Sequence, residues 1–69
     1  MGMTPDERKM WLGHGGLAKV ARRTGRTLGH VSQVNRHNRP DKKVVREITR
    51  LIVAKNPGIN PEQVWPMSA

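Results

Sequence analysis

The 69-residue chain has no cysteine, no phenylalanine and no tyrosine. Without thiols, disulfides and thiolate metal sites are excluded. His14, His30 and His37 have neither tight ligand spacing nor a cysteine partner, so no metal site is expected. The only aromatic residues are Trp11 and Trp65, so a core must come from Val, Ile, Leu, Met and Ala. The same shortage argues against RNA modules that stack bases on several rings. No apolar run approaches the roughly 18 residues of a membrane span, and no signal-peptide pattern opens the chain, so a cytoplasmic, nucleoid-associated protein is expected. Acids are also few, and most stand at or near helix starts or on one exposed helix face. No Ser/His/Asp set is spaced along an enzyme-sized scaffold. Neither catalysis, nor a cofactor, nor a small-molecule ligand is therefore expected.

What the chain has in excess is positive charge. Thirteen basic residues against five acidic ones give a formal net charge of +8. The cations cluster as Lys19, Arg22, Arg23, Arg26, Arg36, Arg39, Lys42 and Lys43, with Asp41 the one acid in that run. Such clustering is the electrostatic footprint of a nucleic-acid binder, whereas a solvated basic surface would need no such focus.

The cations surround residues 17–36, which read as two short helices joined at a glycine. Leu17, Val20, Ala21 and Thr24 recur at the spacing of one helix face. Gly25 follows, where a helix commonly ends in the left-handed conformation. Thr27 then caps a second helix, from which Val31 and Val34 face inward. The small Ala21 lets the two helices cross closely. This is a helix-turn-helix pattern, whose second helix fits the DNA major groove.

The flanking segments also read as helices. Thr4, Pro5 and Glu7 make a capping box with proline in the first position, and the helix runs to about Leu12 with Met10 and Trp11 as its candidate buried residues. Residues 13–16 break it, and Gly16 starts the next helix. Residues 1–3 are expected to be disordered. After a polar loop, Asp41 opens a helix with a one-sided stripe of Val44, Val45, Ile48, Leu51 and Ile52, which Asn56 and Pro57 end. Asn60, Pro61 and Gln63 start a last short helix, with Ile59 and Val64 placed as a hydrophobic staple. Trp65 either closes the core or faces a second subunit. The expected fold is one all-α domain of four or five helices over residues 1–69.

On this reading the candidate base-reading residues are Thr27, Leu28, Gly29, Ser32, Gln33 and Arg36. Gln33 suits adenine, Ser32 several base edges, and Leu28 either a thymine methyl or the core. Gly29 lets the backbone approach the groove. Arg36 reaches guanine or a phosphate. The candidate phosphate contacts are the Gly16 backbone, Lys19, Arg23, Arg26, His30, Asn38, Arg39 and Lys42.

Val20-Ala21, Gly25 and Val31-Ser32-Gln33-Val34 resemble the helix-turn-helix of the lambda-repressor-like superfamily, which includes phage Cro and repressor proteins and the lac-repressor headpiece. The Val44, Ile48 and Leu51 helix fits the same plan. The ending Pro61-Glu62-Gln63-Val64-Trp65-Pro66 is similar to the C-terminal signature of Ner-type phage regulators. The resemblance implies an all-helical repressor that binds an operator, with Leu28, Gly29, Ser32 and Gln33 at base-reading positions. Two departures matter. Arg26 stands where that family usually has an apolar residue, which favours an inward Leu28. Leu28 and Gly29 also occupy places that often hold polar readers, which shifts weight to DNA shape.

The leading expectation is a sequence-specific regulator of phage or mobile-element type that binds double-stranded DNA as a homodimer. The C-terminal segment near Trp65 is the preferred dimer surface. The rivals are an antitoxin or accessory factor acting through a protein partner, and a non-specific nucleic-acid coating protein.

Overall fold

Local capping chemistry sets the helix starts at Pro5, Leu28, Lys42 and Pro61. The computed structural model describes residues 3–36 and 39–65. In order the helices are α1 (Pro5–Leu12), α2 (Gly16–Thr24), α3 (Leu28–Asn35), α4 (Lys42–Lys55) and α5 (Pro61–Val64). Thr4 Oγ1 accepts from the Glu7 amide at 3.1 Å, and Glu7 Oε1 accepts from the Thr4 amide at 2.9 Å. Thr27 Oγ1 accepts from the His30 amide at 3.1 Å. Asp41 Oδ1 accepts from the amides of Lys43 and Val44 at 3.1 and 3.4 Å. Asn60 and Gln63 form the reciprocal box that starts α5. Each such cap stabilises its helix by about 1 kcal/mol, because it satisfies amides that have no partner in the first turn. Gly25 closes α2 at φ 72°, ψ 23°, where a Cβ would be strained.

The core lies around α4, which packs against each of the other four helices. Val44, Ile48 and Ile52 of α4 are buried with Leu12, Val20, Ala21, Val31, Val34, Val64 and Trp65. Val45 and Leu51, expected in the same stripe, are half-buried at its edges. Thr24 is also buried, and its hydroxyl donates to the Val20 carbonyl at 2.8 Å, so the inward end of α2 leaves no orphan polar group. Lys55 donates to the Leu12 carbonyl at 2.7 Å, tying the end of α4 to the end of α1.

The buried side of α1 differs from the expectation. Met10 is 79 % exposed and Trp11 41 % exposed, while Arg8 and Leu12, one helical turn apart, lie inside. Arg8 is fully buried, and the structure shows why its charge is tolerated. Its Nε donates to Asn35 Oδ1 at 2.8 Å and its Nη2 to the Asn35 carbonyl at 2.6 Å. Its Nη1 donates to the Met3 carbonyl and, at 3.3 Å, to the Val64 carbonyl. Asn35 and Val64 are the last residues of α3 and α5, so the guanidinium sits where the negative ends of two helices converge. The Trp65 ring lies 3.9 Å from it, a cation–π contact. Trp65 therefore closes the core. Burial pushes the Arg8 pKa below its ordinary value, partly opposed by the Glu7 carboxylate.

Met3, expected to be disordered, is held in place. Its amide donates to the Gln63 carbonyl at 2.9 Å, and its carbonyl accepts from Arg8. Residues 1 and 2 of that expectation, and Pro66 of the C-terminal signature, lie outside the described residues. No helix among the described residues is long and apolar enough to cross a membrane.

Candidate nucleic-acid interface

Helix α3 divides its residues between two sides. Val31, Val34 and Asn35 are buried. Thr27, Leu28, Gly29, Gln33 and Arg36 are exposed, and Ser32 is half-buried. Asn35 is polar yet belongs to the inward stripe, because Arg8 holds both its amide oxygen and its carbonyl. Its side-chain nitrogen donates to the Pro5 carbonyl at 3.2 Å. The start of α1 and the end of α3 are thereby fixed to each other.

Leu28 is 52 % exposed and so is not drawn into the core beneath the turn. With Met10, Leu17, Ala18 and Ser32 it lines an open cleft of about 600 Å³ beside the outward side of α3. No heavy atom outside the local backbone lies within 4 Å of where a Gly29 Cβ would stand, so neighbouring groups leave that approach open.

The expected phosphate contacts fall into three groups. Lys19 and Lys42 are exposed, and no carboxylate pairs with them among the described residues. Arg23, Arg26, His30 and Arg39 are already engaged within the chain. Arg23 pairs with Glu47, which also binds Arg50 at 2.8 Å. Those two arginines hold the Glu47 carboxyl below its usual range, Arg50 contributing most. Arg26 Nε and His30 Nε2 both meet Asp41 Oδ2, at 2.9 and 2.7 Å. Arg39 Nη1 lies 3.0 Å from His30 Nδ1. The arginines remain open to solvent despite these bonds, with the Arg23 side chain 47 % and the Arg26 side chain 40 % exposed. The surface is thus cationic but internally braced. The departure at Arg26 has a physical reason: the side chain turns outward to an acid instead of into the core.

The third group is the Gly16 backbone, and here the expectation fails. Gly16 is buried and its amide donates to the Gly13 carbonyl at 3.1 Å, so it has no N–H to offer a phosphate. A Cβ at Gly16 would stand 2.6 Å from Leu12 Cβ, so the glycine is there for close packing of α1 on α2. Gly15 precedes it in the left-handed conformation and no side chain caps α2, which leaves the first-turn amides of Leu17 and Ala18 uncapped by a side chain. Asn38 lies outside the described residues.

Two contributors were not anticipated. The sequence places Asp41 at a helix start, yet its second oxygen also gathers Arg26 and His30. The signal was present in its position as the lone acid within a basic run. Arg8 holds the far end of α3, and the matching signal was Asn35, a polar residue on an inward stripe. No family model, no curated protein and no solved structure matches this chain.

Proposed function

We propose that the chain is a sequence-specific DNA-binding transcriptional regulator, a repressor of phage or mobile-element type that occupies a palindromic site as a homodimer. The observation that carries this reading is the two-sidedness of α3. Its Val31 and Val34 side is sealed into the core, while Thr27, Leu28, Gly29, Gln33 and Arg36 stand outward, with Arg26 and Arg39 anchored beside the helix through Asp41 and His30. A helix held rigidly from behind can present base-reading side chains in one register, and surrounding cations supply the sequence-independent part of the affinity. Gln33 would pair with adenine N6 and N7, and exposed Leu28 would pack on a thymine methyl. A single unit reads few base pairs, so two copies on half-sites about one helical turn apart are proposed.

Selection of bound duplexes from a random library tests this directly. A symmetric consensus, preferred at least about a thousandfold over random DNA, is the expected result. Affinity that depends on salt alone, with no consensus, would favour a coating protein instead.

A further inference from the structure

The cluster around Asp41 contains a histidine whose tautomer the geometry fixes. Arg39 can only donate, so at 3.0 Å it requires an unprotonated Nδ1 on His30. The ring proton is then on Nε2, which donates to Asp41 Oδ2 at 2.7 Å. Among the described residues, the charged groups of this cluster are Asp41 at the start of α4, Arg26 in the α2–α3 turn and Arg39 in the segment before α4. The next pair outward, Arg23 with Glu47, joins α2 to α4. Hydrogen bonds from Arg26 first, and then from His30, hold the Asp41 carboxyl far below the usual carboxylate range, so it stays an anion at neutral and mildly acidic pH.

We propose that His30 is a proton-coupled phosphate ligand and that Asp41 is the residue that positions it. In the free protein Arg39 occupies Nδ1. When a phosphate oxygen arrives, Nδ1 takes up a proton, can no longer accept, and releases Arg39. Arg39 and the new Nδ1–H then both donate to the phosphate. The Nε2–H bond to Asp41 persists throughout, so the ring is held while its charge changes. The Asp41 anion stabilises the imidazolium between Arg26 and Arg39, two cations that would otherwise oppose it. Arg39 and His30 thus form a concealed pair of phosphate donors that opens on contact with DNA. This rests on the DNA-binding reading and specifies how the surface beside α3 meets the backbone.

The sign follows from linkage. Binding takes up a proton, so affinity rises as pH falls, by at most about tenfold per pH unit for one proton. Duplex affinity at fixed salt, measured from about pH 8 to about pH 5.5, should strengthen several-fold more for the parent chain than for His30→Gln. Because His14 and His37 are present in both chains, the difference belongs to His30. Calorimetry in buffers of different ionisation enthalpy should show the matching proton uptake, lost in His30→Gln. Asp41→Asn keeps a capping side chain but removes the anion, and should shrink the pH effect without unfolding α4. Identical pH profiles for parent and His30→Gln would overturn the proposal. So would nitrogen-detected NMR of the free protein showing the proton on Nδ1, whatever happens with DNA. Failure to bind any duplex at any pH would instead remove the DNA-binding reading, and the proton uptake with it.

Discussion

Gln33 sits exposed between the buried Val31 and Val34, so its amide can be changed without disturbing the core. Gln33→Ala should cost about 1–3 kcal/mol of discrimination at one position of each half-site while leaving other positions intact. A panel of singly substituted duplexes checks this, and uniform weakening across the panel would remove Gln33 from the reading set. Arg8 is the opposite kind of residue, wholly buried. Arg8→Met removes the donor to four buried or half-buried oxygens, on Asn35, Met3 and Val64. It also relieves the desolvation of a charge, so the two effects partly offset. A net destabilisation of about 2–4 kcal/mol is expected in urea unfolding, because leaving several acceptors unpaired outweighs the relief. A midpoint unchanged from the parent would show that the carbonyl cluster does not depend on the cation.

At the scale of the helices, glycines separate packing from approach. Gly16→Ala forces a Cβ to 2.6 Å from that of Leu12, so α1 and α2 must move apart and thermal stability should fall. Gly29→Ala meets nothing within 4 Å. It should stabilise the fold by about 0.5 kcal/mol through the unfolded chain, yet weaken DNA binding if the α3 backbone comes close to the groove. Opposite signs for stability and affinity in this one variant are the expected result, and unweakened affinity would place Gly29 away from DNA. The helices themselves were legible in the sequence, because Thr4, Thr27, Asp41 and Asn60 act on amides two or three residues away. The inward faces of α2, α3 and α4 were legible for the same reason, since periodicity along one helix is a local property. The inward face of α1 was not. Apolarity pointed to Met10 and Trp11, whereas the choice was made by two distant helix ends that converge on Arg8. The outward residues of α3 followed from its inward ones. The bracing of Arg23, Arg26 and His30 did not, because Glu47 and Asp41 are brought to them only by the crossing of α2, α3 and α4.

Across the whole molecule the net charge of +8 predicts strong salt dependence of binding. Arg39→Ala should lower affinity for every duplex and flatten the salt slope by about one unit, and an unchanged slope would exclude it from the backbone contacts. Acid stability follows from the braced carboxylates. Asp41 and Glu47 both have folded-state pKa values below their unfolded ones. Their contribution is therefore full above about pH 5 and is lost as pH falls through the folded values. Thermal unfolding followed from about pH 5 down to about pH 2 should show a falling midpoint, and Asp41→Asn should fall less steeply over that range. Equal slopes would mean that the carboxylate contributes nothing beyond its cap.

The bond from the Met3 amide to the Gln63 carbonyl, 2.9 Å long, has a topological consequence. It places residues 3 and 63 side by side, so a peptide engineered to join the segments on either side of that contact would close the backbone into a ring. The exposed turn at Pro57 and Gly58 could then be cut to create a new start and finish. A circular permutant opened there should regain the parent's far-ultraviolet circular dichroism, since neither α4 nor α5 is interrupted at that turn.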